Sequence, residues 1–259
     1  MTDRLKAKET FLRYAAGYDL EDVKIKLKAD HTLRVASLCA QIAESTGLDR
    51  EDTELAYMAG LLHDIGRFEQ VRLYHTFRDA VSVNHAQFSA DLLFGGGMIR
   101  DYMEDDADDV LLEKAIRLHN VYILPDDLTE RERTFCQILR DADKVDILRV
   151  NRETPMTEIY DLPEEAFLDA QISDPVYEDV LSHRDVNRRN SRTAVDFLIG
   201  HIAFVFGLVY PVSIRLAKEQ GYLDQMLQFE SRNPKTAERM KRIRAEVEAY
   251  IREKLKNPD

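Results

Sequence analysis

Apolar residues recur every three or four positions along most of the chain, which is the spacing of one face of an α-helix. In one segment, Leu27, Val35, Leu38 and Ile42 share such a face. The pattern predicts helices over about residues 4–14, 23–45, 49–66, 84–95, 109–119 and 130–150, a restart at 191, and a charged amphipathic helix over 238–256. Tyr74 to Phe77 read as part of a loop. We therefore expect an all-α fold.

Residues 151–190 interrupt this pattern. Pro155, Pro163 and Pro175 break the segment, so it reads as an insertion with short helices or a lid-like segment. We divide the chain into a helical core, residues 1–150, this segment, and additional C-terminal helices, residues 191–259, packed on the same domain.

Composition limits the function classes. The 259 residues carry a formal net charge of −12 and no long basic run, which argues against stable nucleic-acid binding. Cys39 and Cys136 each fall in a predicted helix, so we expect buried thiols, no disulfide framework and a cytoplasmic protein. The apolar run 194–214 contains Asp196 and Pro211, so we expect a buried core helix and no membrane association.

Six polar residues occupy positions that belong to apolar helix faces. His31 stands on the face that carries Leu27 and Val35, and Asp143 stands between Leu139 and Ile147. Similar alignment holds for His63 with its neighbour Asp64, for His85, and for His119. A lone histidine of this kind is usually a hydrogen-bonded core residue, but an unpaired buried carboxylate is costly. A shared metal centre would satisfy all six, and so many ligands suit two metal ions bridged by a carboxylate.

The order of these residues resembles a known signature. His31, the pair His63-Asp64 within Leu-Leu-His-Asp-Ile-Gly, and Asp143 within Asp-Ala-Asp-Lys are similar to the motif of the HD-domain metal-dependent phosphohydrolase superfamily. The resemblance covers about residues 25–150 and implies an HD-domain helical bundle. His85 and His119 resemble the two extra histidines of its binuclear, six-ligand members, which include bacterial HD-type diadenosine tetraphosphate hydrolases and HD-GYP phosphodiesterases.

Two features of the sequence differ from the motifs of particular members of this superfamily. His119 is followed by Asn120 and no Gly-Tyr-Pro sequence follows, which argues against a cyclic-di-GMP phosphodiesterase. The stretch 65–69, Ile-Gly-Arg-Phe-Glu, lacks the Glu-Asp pair typical of alarmone hydrolases of the same superfamily.

The resemblance implies an enzyme that hydrolyses a nucleotide or other small phosphoester with two divalent ions. Iron or manganese comes first, with nickel, cobalt, zinc or magnesium as alternatives. Asp64 would bridge the two ions. A hydroxide held between the ions would attack phosphorus. His31, His63 and Asp143 would complete one ion, and His85 and His119 the other. Lys144 and Arg67 are candidates for contact with the phosphate.

Two alternatives stay open. The same six ligands serve the mixed-valence di-iron oxygenases of the HD type, and a non-catalytic regulatory HD module is the third reading. The sequence does not decide the substrate, the physiological metal or whether the protein is a homodimer.

Overall fold

The computed structural model describes residues 4–160 and 162–256. Every regular element in this part of the chain is helical, which confirms the all-α prediction. The chain divides into two compact units, one ending at Asp143 and one beginning at Lys144. The predicted lid-like role of residues 151–190 and the packing of residues 191–259 on the core domain stay predictions.

The first unit is built from seven α-helices, the last of which extends past its boundary. They are α1 (Arg4–Ala15), α2 (Val23–Ser45), α3 (Arg50–Leu62), α4 (Gly66–Tyr74), α5 (His85–Ala90), α6 (Asp109–Leu118) and α7 (Glu130–Glu153).

Helices α2 and α3 form the central pair of this unit, and both begin at a capping aspartate. Asp22 accepts a hydrogen bond from the backbone N–H of Lys24, and Asp49 accepts one from that of Asp52. Gly60 of α3 lies against Ala36 of α2, where an added Cβ would come within 2.7 Å of the Ala36 Cα. The two helices therefore cross at a distance that only glycine permits.

The structure corrects the prediction of one helix that ends near Gly66. Helix α3 ends at Leu62, and α4 begins at Gly66, in a stretch where no helix was predicted. The separation has a tertiary cause, because the Gly66 N–H donates to Ser89 Oγ at 2.9 Å and an added Cβ would lie 2.7 Å from the Ser89 nitrogen. Phe68 anchors α4 edge-on to Phe11 of α1, a contact between residues distant in sequence.

The predicted helix start near 84 is confirmed. Asn84 accepts hydrogen bonds from the backbone N–H groups of Ala86 and Gln87, so His85 is the first residue of α5. The α-helix is shorter than expected, because it gives way at Asp91 to a π-helical turn that ends at Gly95.

The second unit consists of shorter helices and one long C-terminal helix. They are α8 (Met156–Tyr160), α9 (Glu164–Leu168), α10 (Asp174–Leu181), α11 (Ala194–Ile202), α12 (Pro211–Glu219), α13 (Tyr222–Met226) and α14 (Pro234–Lys256). The last begins earlier than predicted, because Asn233 caps the N–H groups of Lys235 and Thr236.

The apolar run 194–214 is not the single core helix that the sequence predicts. Helix α11 ends at Ile202, a 3-10 turn covers Ala203–Gly207, and Pro211 starts α12. Proline has no N–H to donate and suits the first turn of a helix, so the chain restarts there. In the described part of the chain, no helix combines the length and the hydrophobicity that crossing a membrane requires. Cys39 and Cys136 are buried in helices, as predicted.

Candidate metal centre

The six predicted ligands come from five places in the first unit. His31 lies within α2, and His63 and Asp64 occupy the turn after α3. His85 opens α5, His119 directly follows α6, and Asp143 lies within α7. Most of these side chains therefore stand at helix ends, where a change of chain direction turns them towards a common point.

Both oxygens of Asp64 face imidazole nitrogens, but of different histidines. Its Oδ2 lies 3.7 Å from His31 Nε2 and 3.5 Å from His63 Nε2. Its Oδ1 lies 3.7 Å from His85 Nε2 and 3.9 Å from His119 Nε2. One carboxylate thus joins two separate donor groups, as a bridging ligand of two metal ions does.

Asp143 adds a second carboxylate on the Oδ2 side. Its Oδ1 lies 3.2 Å from His31 Nε2 and 3.9 Å from His63 Nε2. With 23% of its side chain exposed, Asp143 is the most accessible of the six, whereas Asp64 is almost fully buried. The donor atoms form three overlapping triplets, each within a span of 4.8 Å: His31–His63–Asp64, His63–His119–Asp143 and Asp64–His85–His119.

Three of the rings have their outer nitrogen engaged. Nδ1 of His63 lies 2.7 Å from the Gly60 carbonyl oxygen, and Nδ1 of His119 lies 2.7 Å from that of Ile116. Because a carbonyl oxygen only accepts, each Nδ1 carries the proton and each Nε2 keeps its lone pair. The Asp79 carboxylate accepts the corresponding hydrogen bond of His85, since Asp79 Oδ2 lies 2.5 Å from His85 Nδ1. Hydrogen bonds of this kind to the outer nitrogen fix the ring orientation of metal-ligating histidines.

The resulting lone pairs face each other without protons between them. His85 Nε2 and His119 Nε2 are 3.0 Å apart. His63 Nε2 and Asp64 Oδ1 are buried and have no hydrogen-bond partner. Buried acceptors without donors are costly, and a cation among them removes that cost. The donor set therefore fits divalent metal ions of the first transition row.

The protonation state of the histidines near neutral pH also suits metal binding. Burial, with a contribution from the charge of Arg67, lowers the pKa of His85 to about 3. Burial lowers the pKa of His119 to about 4, with an electrostatic contribution from the nearby His63. Both rings are thus neutral near pH 7, which is the form that binds metal.

The carboxylates stay ionised despite their surroundings. Burial opposes the charge of Asp64, but Lys28, His63 and Arg67 outweigh it and hold the pKa of Asp64 well below its usual range. Burial opposes the charge of Asp143 as well, yet the hydrogen bond with His31 keeps the pKa of Asp143 low.

Arg67, a predicted phosphate contact, lies beside the centre. Its Nε is 3.6 Å from Asp64 Oδ1, and 11% of its side chain is exposed. Its Nη1 donates to the side chain of Gln70, the Phe77 carbonyl oxygen and Asp79 Oδ1. The guanidinium is thus held in place by groups other than Asp64.

Lys144, the other predicted phosphate contact, is the first residue of the second unit. There its Nζ donates to Asp185 Oδ2, and it lies 3.4 Å from the Gly207 carbonyl oxygen. The predicted contact of Lys144 with a phosphate stays a prediction.

Two residues of the site were not predicted from the sequence. Lys28 of α2 donates to Asp64 Oδ2 at 2.5 Å, and Asp79 binds both His85 and Arg67. Lys28 stands one helical turn before His31, a spacing that could have indicated it. Asp79 follows a loop, and no periodic pattern distinguishes it.

A comparison with known protein families agrees with this geometry. Residues 29–148 match the family model of the HD domain. No match to the chain was found among the curated proteins or among the solved structures. The matched range contains all six candidate ligands, together with Arg67, Asp79 and Lys144. Residues 29–148 are therefore an HD domain, and its buried histidine and aspartate side chains could hold metal ions.

Proposed function

We propose that this protein is a metal-dependent phosphohydrolase that acts on a nucleotide or another small phosphoester. The observation that carries the proposal is the position of Asp64, whose two oxygens face two different pairs of imidazole nitrogens. A carboxylate placed between two groups of imidazole nitrogens suits a bridging ligand of a two-metal centre.

The proposed centre holds two divalent ions, iron or manganese first. One would be held by His31, His63, Asp64 and Asp143, and the other by Asp64, His85 and His119. When bound, the ions supply a nucleophile at neutral pH by lowering the pKa of water, and they neutralise phosphoryl charge.

The protein's own residues account for the rest of the proposed site. Asp79 orients His85 and at the same time holds Arg67. Arg67 keeps a permanent positive charge next to Asp64, which favours an anionic substrate over a neutral one. Phe77 lies under this guanidinium, with the Arg67 Cζ 5.4 Å from the centre of its ring.

The test is hydrolysis of a panel of nucleotides and phosphoesters by protein loaded with manganese, iron, nickel or cobalt. We expect about two metal ions per chain, as two-metal sites bind, and at least a hundredfold loss of activity in Asp64→Asn. Asp91→Asn is the matched control, because Asp91 is exposed and paired with Arg117. Circular dichroism would verify that both variants keep their helices.

Two results would contradict the proposal. One is wild-type activity in Asp64→Asn, which would place the chemistry elsewhere. The other is an iron-loaded protein that consumes oxygen with its substrate and releases no phosphate, which would support the oxygenase alternative. Absence of bound metal in the wild-type protein would instead support the non-catalytic module.

A further inference from the structure

Lys28 is an unusual lysine because its ammonium group is buried beside Asp64. Only 9% of its side chain is exposed, and its Nζ lies 2.5 Å from Asp64 Oδ2. Lysine is among the residues least often buried, since its charge must be separated from water. Its position thus depends on the charge of Asp64.

Asp64 is the only carboxylate with which Lys28 pairs in the described part of the chain. Its other close contact is the ring of Phe77, whose centre lies 5.7 Å from Nζ. Arg67 differs, because Asp79, Gln70 and a carbonyl oxygen hold its guanidinium independently of Asp64. Of the two cations beside Asp64, Lys28 is therefore the one that loses its partner if Asp64 binds a metal ion in place of the ammonium.

The oxygen that Lys28 binds is also the one that faces His31 and His63. A metal ion lies about 2.1 Å from a carboxylate oxygen that binds it. Any ion held by Oδ2 would therefore come within roughly 5 Å of the ammonium. In a site that water reaches poorly, repulsion between such charges is strong.

We propose that Lys28 is an internal competitor for the metal ion on the Oδ2 side of Asp64. The inference rests on the proposed two-metal centre and concerns the ion on the Oδ2 side. That ion binds more weakly than it would in the absence of Lys28, because it must displace the ammonium from Asp64.

The test measures metal binding and uses no substrate. Full-length protein is stripped of metal with a chelator and titrated with Mn²⁺ against a chromogenic indicator. We expect Lys28→Met to bind one of its two Mn²⁺ ions at least tenfold more tightly than the wild-type protein does, with a smaller change in affinity for the other ion. Lys26→Met is the matched control, because Lys26 lies on the same helix, is exposed and loses the same charge.

Unchanged affinity in Lys28→Met would overturn the inference. Weaker binding would overturn it too, and would show that Lys28 instead positions Asp64 for the metal. If the methionine variant does not fold, Lys28→Gln keeps a hydrogen-bond donor for Asp64 without the charge and carries the same expectation. Failure of every variant and of the wild-type protein to bind Mn²⁺ would refute the metal centre itself. Loss of hydrolysis alone would leave the measured affinities as they are, so failure of the proposed reaction is distinguishable.

Discussion

Three of the four imidazoles of the candidate metal centre are held through the nitrogen that faces away from it. His63 and His119 use backbone carbonyl oxygens of their own helices, three residues earlier in the chain. His85 is the first residue of its helix, so its own helix has no carbonyl oxygen three residues earlier, and it uses Asp79 instead. The position of a ligand in its helix thus decides whether the backbone or a side chain must orient it.

Asp79→Asn tests this dependence at a single residue. An amide orients His85 less strongly than a carboxylate, since it carries no charge and has a single acceptor oxygen. We expect metal affinity on the Oδ1 side of Asp64 to fall by roughly ten- to a hundredfold. Titration with Mn²⁺ measures it, with Asp91→Asn as the exposed control. Equal affinity in Asp79→Asn and the wild-type protein would contradict the role assigned to Asp79.

At the scale of the element, the close crossing of α2 and α3 positions two of the candidate ligands. Gly60 meets the backbone of Ala36 and the Cys39 sulfur, and its carbonyl oxygen accepts from His63. His31 lies on α2, and His63 directly follows α3. The distance between the helices therefore sets how closely these two rings approach Asp64.

Gly60→Ala should separate the two helices. The new Cβ would lie 2.7 Å from the Ala36 Cα and 2.9 Å from the Ala36 nitrogen, and backbone atoms cannot move aside cheaply. We expect a loss of about 1–3 kcal/mol in the free energy of unfolding, reduced in part by the better helix propensity of alanine. Urea unfolding measures it.

Gly95→Ala is the matched control for this change. An added Cβ at Gly95 meets nothing within 4 Å, so stability should stay within about 0.5 kcal/mol of the wild-type value. Equal stability of the two alanine variants would show that α2 and α3 adjust without cost.

At the scale of the whole molecule, the buried neutral histidines make stability depend on pH. The pKa values of His85 and His119 are lowered to about 3 and about 4 in the folded protein. An unfolded histidine titrates near 6.5. Between these limits the unfolded chain binds protons that the folded chain does not, so stability increases with pH in this range.

Protein stripped of metal should therefore lose stability as the pH falls from 7 to 4. The two lowered pKa values predict that the free energy of unfolding falls by on the order of 3 kcal/mol for each histidine. This loss is absent above pH 6.5, where an unfolded histidine is neutral as well. Urea unfolding at both pH values measures the loss, and His119→Gln should show a smaller one. The same loss in His119→Gln as in the wild-type protein would contradict this account.

The sequence by itself determined the helical fold and the six candidate ligands. Periodic apolar faces predict helices, and a histidine or aspartate on such a face is visible because it breaks a local pattern, as His31 and Asp143 do. Asn84, a local capping residue, likewise predicted the start of α5 correctly. These features depend on residues a few positions apart.

Only the tertiary structure decided which groups surround Asp64. The Lys28–Asp64 ion pair joins residues 36 positions apart, and the separation of α4 from α3 depends on Ser89. Lys28 stands one helical turn before His31, but that spacing does not show that its ammonium pairs with Asp64. Long-range contacts of this kind leave no periodic trace in the chain, which is why Lys28 and Asp79 emerged only from the folded protein.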